Sequence, residues 1–153
     1  MKTINKLILA LTFTAAIAFA GEELSKVPFV LGPTLLKDGD AIVIQDVLST
    51  STNLAVGEKV VVRGRYDLKS HEKASLCLYL TARASDSDSE HELPTQTMVV
   101  DKGSGEFELS TVVRQIGHLH LTLYGIPDRK GFACVYFGTE SQMKVISHWN
   151  ISH

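Results

Sequence analysis

Tryptophan occurs once in this chain, cysteine twice and proline four times, and its basic residues nowhere cluster. Each shortage excludes something. A chain without a lysine- and arginine-rich stripe has no footprint for a phosphate backbone, so nucleic acid is not an expected partner. An anionic membrane surface is disfavoured on the same ground. Two cysteines cannot build a disulfide scaffold or a four-cysteine zinc site. The G-x-S-x-G elbow, the H-E-x-x-H helix, the C-x-x-C pair and the glycine-rich phosphate loop are all missing, which removes the enzymes that carry them. Lys102-Gly103-Ser104-Gly105 has the composition of a phosphate loop but stands between two predicted strands, not ahead of a helix N-terminus, and reads as a turn.

What is present begins with a leader. MKTINKLILALTFTAAIAFA carries Lys2 and Lys6, then an apolar run from Leu7 to Phe19, and ends on Ala18-Phe19-Ala20, the small-x-small pattern of signal-peptide cleavage. The run falls short of the roughly 20 apolar residues of a membrane span. Residues 1–20 are therefore expected to be removed after Ala20, leaving no transmembrane segment and exporting the mature chain to the periplasm or the extracellular space. Setting aside 20 of the 153 residues leaves 133, one domain's worth, with 13 basic against 17 acidic residues once the two leader lysines are gone. A chain of that length can bury a core without disulfide support.

From there on the pattern is period two, with no helical stripe. AIVIQDV (41–47) reads as a strand behind the turn KDGD (37–40), where Asp38 and Asp40 flank a glycine as turn residues do. EKVVVRGRY (58–66), ASLCLYLTA (74–82), PTQTMVV (94–100), EFELSTVVR (106–114), HLHLTLY (118–124) and GFACVYFG (131–138) follow, and KVISHW (144–149) is a candidate last strand. Seven or eight short strands at this spacing predict an all-β fold, an antiparallel β-sandwich of immunoglobulin-like or jelly-roll-like type with no substantial helix. Residues 21–36 are read as a lead-in, 37–149 as the domain and 150–153 as a short tail.

Two histidines, His118 and His120, sit two apart on one predicted strand, and their side chains project to the same side about 6.5–7 Å apart. Such a pair can converge on copper or zinc, but a site needs a third ligand, from His71, His148, His153 or a distant carboxylate. If Gln115-Ile116-Gly117 closes a hairpin on a positive-φ Gly117, Arg114 falls opposite His118, Val112 opposite His120 and Val113 opposite Leu119. Arg114 would then repel a cation. The competing reading is a partly solvated outer face with no metal or other cofactor, and it is the one the sequence favours.

Asp86, Asp88 and Glu90 in RASDSDSEHE (83–92) resemble the opening of a calcium loop, but His91 and Thr97 stand where glycine and glutamate are required, so a solvated connection is expected. Cys77 and Cys134 could form a bridge in an exported chain or remain two buried thiols. The segment YGIPDRKGF (124–132) reads as an exposed loop, and Tyr124, Asp128, Arg129 and Lys130 are the candidate binding surface. KGSGEFEL (102–109), YGIP (124–127) and GFACVYFGT (131–139) together resemble small exported bacterial β-domains of uncharacterised function, over roughly residues 38–139. That resemblance implies a β-sandwich module of surface or periplasmic assemblies and no activity. The resulting expectation is a non-catalytic binding or structural module whose partner is a protein or a glycan. Metal binding through His118 and His120 is the first alternative and carbohydrate binding the second. A hydrolase with dispersed carboxylates has no local signature and is the least supported.

Overall fold

A computed structural model describes residues 23–82 and 93–151; the leader, the acidic segment 83–92 and His153 lie outside the described residues. The strands are β1 (Ser25–Lys26), β2 (Val30–Leu35), β3 (Ala41–Ser49), β4 (Lys59–Thr81), β5 (Thr97–Val112), β6 (His118–Gly125) and β7 (Gly131–Gly138). A 3-10 turn at Pro94–Gln96 precedes β5, and one helix, α1 (Glu140–Val145), follows β7. The class is antiparallel all-β as expected, and its form is a single curled sheet. The strand order is β1-β3-β4-β6-β7-β2, with β5 paired to β4.

Four of the predicted strands are two. β4 runs unbroken for 23 residues through both EKVVVRGRY and ASLCLYLTA, and β5 for 16 residues through the segment read as a KGSG turn. The two pair along almost their whole length. The register slips once, between the pairs Leu68–Gly103 and Lys73–Asp101, so four residues of β4 oppose one of β5. This bulge divides the ribbon. On the edge of β4 away from β5, β3 pairs with residues before the bulge and β6 with residues after it. Gly103, at φ 114°, supplies the left-handed conformation on the β5 side that other residues rarely adopt.

A bulge leaves backbone donors without ladder partners. Asp40 receives them. Its Oδ1 accepts the amides of Lys69 at 2.7 Å and Ser70 at 3.0 Å, and its Oδ2 accepts the Ser70 hydroxyl. Asp40 is buried, although the sequence marks it only as a turn residue. Turn chemistry accounts for its neighbour: Asp38 has φ 55°, and the Asp40 amide donates to the Lys37 carbonyl at 2.9 Å.

Above and below the bulge, alternate residues face one core. Val60, Val62 and Leu68 on the first half of β4 and Ala74, Leu76 and Leu78 on the second join Leu119, Leu121 and Leu123 of β6 and Val135 and Phe137 of β7. Phe107 and Leu109 of β5 close it from the far side. One side of this core admits no bulk at all, because a Cβ on Gly64 would stand 2.1 Å from the Val43 carbonyl and 2.7 Å from the Phe107 ring.

Three expectations are corrected here. The hairpin from Arg114 to His118 does not form: β6 pairs with β4 and β7, and residues 113–117 cross from one edge of the ribbon to another. Gly117 does not have positive φ, and it is small because a Cβ would stand 2.5 Å from Leu80. The lead-in 21–36 contains β1, paired with β3, and β2, paired with β7. KVISHW is not a strand. Thr139 caps a helix whose Gln142 amide donates to the Thr139 hydroxyl at 3.3 Å, while the Gln142 side chain accepts the Thr139 amide at 2.9 Å.

Asp40→Ala should cost about 2–4 kcal/mol, since it strands two backbone donors and a hydroxyl in a partly buried place. Burial by itself pushes this carboxyl up. The Ser70 hydroxyl, the amides of Lys69 and Ser70 and the neighbouring His71 more than offset that, and hold it below the ordinary aspartate range. The stabilisation is therefore complete above that range and is lost as pH falls through the lowered value. Urea titrations across the acid limb should show the parent losing this contribution and Asp40→Ala having none of it to lose; parallel acid limbs would contradict the assignment.

Candidate functional site

The face of β6 opposite the leucines carries His118, His120, Thr122 and Tyr124, and register places β4 and β7 residues beside them. Tyr79, His120 and Tyr136 form one row and Cys77, Thr122 and Cys134 the next. This face is covered, not wet. Every residue of β6 from Leu119 to Leu123 is buried, so both sides of the strand are covered. α1 packs on β2 and β7, and Met143 and Ile146 join Cys134 and Tyr136 in a second apolar cluster against which Trp149 and Ile151 lie. Two glycines make room for the helix: a Cβ on Gly32 would meet the Met143 sulfur at 2.4 Å, and one on Gly138 would meet the Gln142 side chain at 2.7 Å.

Within this layer His120 is fully engaged. One ring nitrogen, Nε2, lies 2.8 Å from the Thr81 hydroxyl, and the other, Nδ1, lies 2.8 Å from the Thr122 hydroxyl. A neutral imidazole has one donor and one acceptor, and the two threonines use both. Tyr136 lies against the ring at 4.7 Å and the Cys134 thiol stands 3.7 Å from Nδ1. A metal would have to displace one of those hydroxyls. His118 shares the face but not the network. Its ring meets Trp149 edge-on at 5.4 Å, and its Nδ1 is buried with no hydrogen-bond partner among the described residues. Burial holds its pKa below the ordinary histidine value.

Among the described residues, the other histidines do not complete a metal site around this pair. His71 belongs to the Asp40 cluster, where its Nδ1 lies 2.7 Å from the Ser70 hydroxyl and its ring stacks on Phe132 at 4.0 Å. His148 is exposed. Among the described residues, no group of three or more histidine, cysteine, aspartate or glutamate side chains is placed to hold a metal ion. Asp40, Ser70 and His71 are the three residue types of a hydrolase triad in the wrong order. The serine hydroxyl sits between carboxylate and imidazole and donates to the carboxylate, so the histidine cannot take its proton. The sequence offers no signal for this cluster, in which Asp40 lies 30 residues before Ser70 and meets Ser70 and His71 only at the bulge.

Cys77 and Cys134 are both buried and are not joined in a disulfide. They flank Thr122 from the two neighbouring strands, which separates their backbones by two interstrand spacings, about 9–10 Å. A disulfide needs Cα atoms within about 7 Å, so the row that puts these residues on one face also keeps them unbridged.

The predicted binding surface is the β6–β7 turn. Ile126 is 46 % exposed, and Asp128, Arg129 and Lys130 are exposed. The turn is nonetheless fixed. The Gly125 amide donates to the Lys130 carbonyl at 2.9 Å, the Arg129 amide to the Gly125 carbonyl at 3.0 Å and the Lys130 amide to Asp128 Oδ1 at 3.3 Å. Arg129 has φ 55°, a conformation uncommon for a residue other than glycine, asparagine or aspartate. Tyr124 is half-buried on the covered face with its ring 5.9 Å from Tyr79. Comparison with protein-family models, curated proteins and solved structures finds no match to the chain.

Two outcomes follow from this layer. Unfolded in the absence of reductant, the protein should release two titratable thiols per chain; none would mean a bridge and a different register. Because the lowered His118 pKa favours the neutral ring, docking of the C-terminal segment is at full strength above the ordinary histidine range and weakens as pH falls through it. Emission from Trp149, the single tryptophan, should report this as a transition that His118→Phe abolishes. Its persistence in that variant would place the titrating group elsewhere.

Proposed function

We propose that the chain is an exported, non-catalytic module of the cell envelope or extracellular space that engages a protein or glycan partner through its β6–β7 turn. The observation that carries this reading is the combination of exposure and fixed geometry in residues 126–130. An exposed loop held by three hydrogen bonds loses little conformational entropy on binding, which is how preorganisation raises affinity. An exposed apolar side chain, Ile126, on the same turn as the exposed Asp128, Arg129 and Lys130 has the make-up of a small recognition surface. The left-handed Arg129 supports it further. Glycine would be the less strained residue there, so the chain carries an arginine side chain at a backbone cost of about 1–3 kcal/mol.

The remaining polar groups support a structural role for the interior. Asp40 and His120 are occupied by hydroxyls and amides of the chain itself, which leaves neither poised for acid–base work. Export rests on the leader at 1–20, and with it the assignment to the periplasm or the medium. The resemblance to small exported bacterial β-domains points the same way.

Expressed with its own leader in a bacterial host, the chain should be recovered from the periplasm or medium with Gly21 as its first residue. A photocrosslinking residue at position 126 should then give adducts with envelope components that the same residue at the exposed position 145 does not. Arg129→Gly should keep or raise thermal stability while reducing those adducts. Retention of residues 1–20, or equal labelling from both positions, would overturn the reading.

A further inference from the structure

We propose a second interaction surface, the open edge of β5, which takes an extended polypeptide segment carrying lysine or arginine at alternate positions as an added antiparallel strand. It shares no residue with the β6–β7 turn and stands independently of the reading above.

The edge follows from hydrogen-bond direction. β5 pairs with β4 and, among the described residues, with no other strand. The Val113 amide donates to the Glu58 carbonyl at 2.9 Å, so Val113 directs its backbone groups toward the β4 side. Alternation then directs those of Val112, Ser110, Glu108 and Glu106 outward. The Ser110 carbonyl agrees, because the Thr95 hydroxyl approaches it from outside and donates at 2.9 Å. Thr95 thus closes the edge at Ser110, and the backbone of Glu108 and Glu106 beyond it is left facing a groove of about 570 Å³, within the usual range for ligand sites. Pro94, Thr95, Asp46 and Arg63 are among the residues that line it.

Charge selects the occupant. Three carboxylates, Asp46, Glu106 and Glu108, line the groove against the single guanidinium of Arg63. Arg63 is committed to Glu108 at 2.6 Å, and Asp46 to Lys26 at 2.6 Å. Glu106 has no cation within ion-pair distance among the described residues. Glu106 and Glu108 project to the same side at the two-residue repeat of a strand, about 6.5–7 Å. A strand laid antiparallel on this edge presents its own alternate side chains at the same repeat, so lysines at every second position fall opposite the two glutamates. Opposite charges directly across a strand pair are favourable, and backbone pairing supplies the rest of the affinity.

The test uses a fluorescein-labelled heptapeptide alternating lysine with threonine and valine, its counterpart with glutamate for lysine, and a version of the lysine peptide N-methylated at alternate amides. Anisotropy with the parent should rise saturably for the lysine peptide and bind the glutamate peptide at least tenfold more weakly. The doubly substituted Glu106→Lys/Glu108→Lys protein, checked by its melting curve, should reverse that preference. N-methylation, which keeps every charge but removes the donors, should weaken binding to the parent at least tenfold. No saturable signal up to about 1 mM lysine peptide, undiminished binding of the N-methylated peptide, or an unchanged preference in the folded double variant would each overturn the proposal.

Discussion

The fold turns on the carboxylate of Asp40. A 23-residue strand cannot remain straight in a domain of this size, and β4 turns at a bulge where four of its residues face one of β5. Backbone donors freed at such a place must be met, and Asp40 meets two of them together with the Ser70 hydroxyl. The same contact ties the turn before β3 to the middle of β4. What lies to either side of the bulge then differs: β3 docks on one half of the ribbon and β6 on the other, and both halves contribute to a single apolar core.

Once β6 is central, its second face must also be covered, and this explains the histidines. A polar row in the middle of a sheet is tolerated when each group has a partner. His120 meets that condition through Thr81 and Thr122, one from the neighbouring strand and one from its own. His118, at the end of the strand, meets it only in part: its ring packs against Trp149, and its Nδ1 has no hydrogen-bond partner among the described residues. α1 and the residues after it are thus a cover for β7 and the rim of β6, seated on Gly32 and Gly138. The histidines that first suggest metal chemistry thus lie in a buried layer, where His120 bonds two threonine hydroxyls and, among the described residues, the Nδ1 of His118 has no partner.

Much of this was legible in residue order. β3, β6 and β7 follow the alternation closely, and GFACVYFG coincides with β7. Alternation reports which face a residue takes but not which strand lies beside it. Arg114 and His118 therefore looked like hairpin neighbours although residues 113–117 cross to another edge. KGSG reads as a turn, and 67–73 falls between two predicted strands. That they lie opposite one another and bend as a unit is a property of the pairing, invisible in either segment alone. The short helix left a signal that the β-branched Val145 and Ile146 obscured, the Thr139-x-x-Gln142 capping box. At the candidate surface, the charges of 128–130 were readable as an exposed turn; the left-handed backbone of Arg129 and its three supporting bonds were not.

The most direct test of the central role of Asp40 is amide hydrogen exchange at Lys69 and Ser70. Residues at an unsupported bulge exchange through local opening, whereas donors locked into the core's framework exchange only when the whole domain unfolds. The account predicts that both amides are protected to the same free energy as the amide of Leu121 at the sheet's centre. Exchange at Lys69 and Ser70 close to the rate of an open loop, with Leu121 still protected, would contradict it.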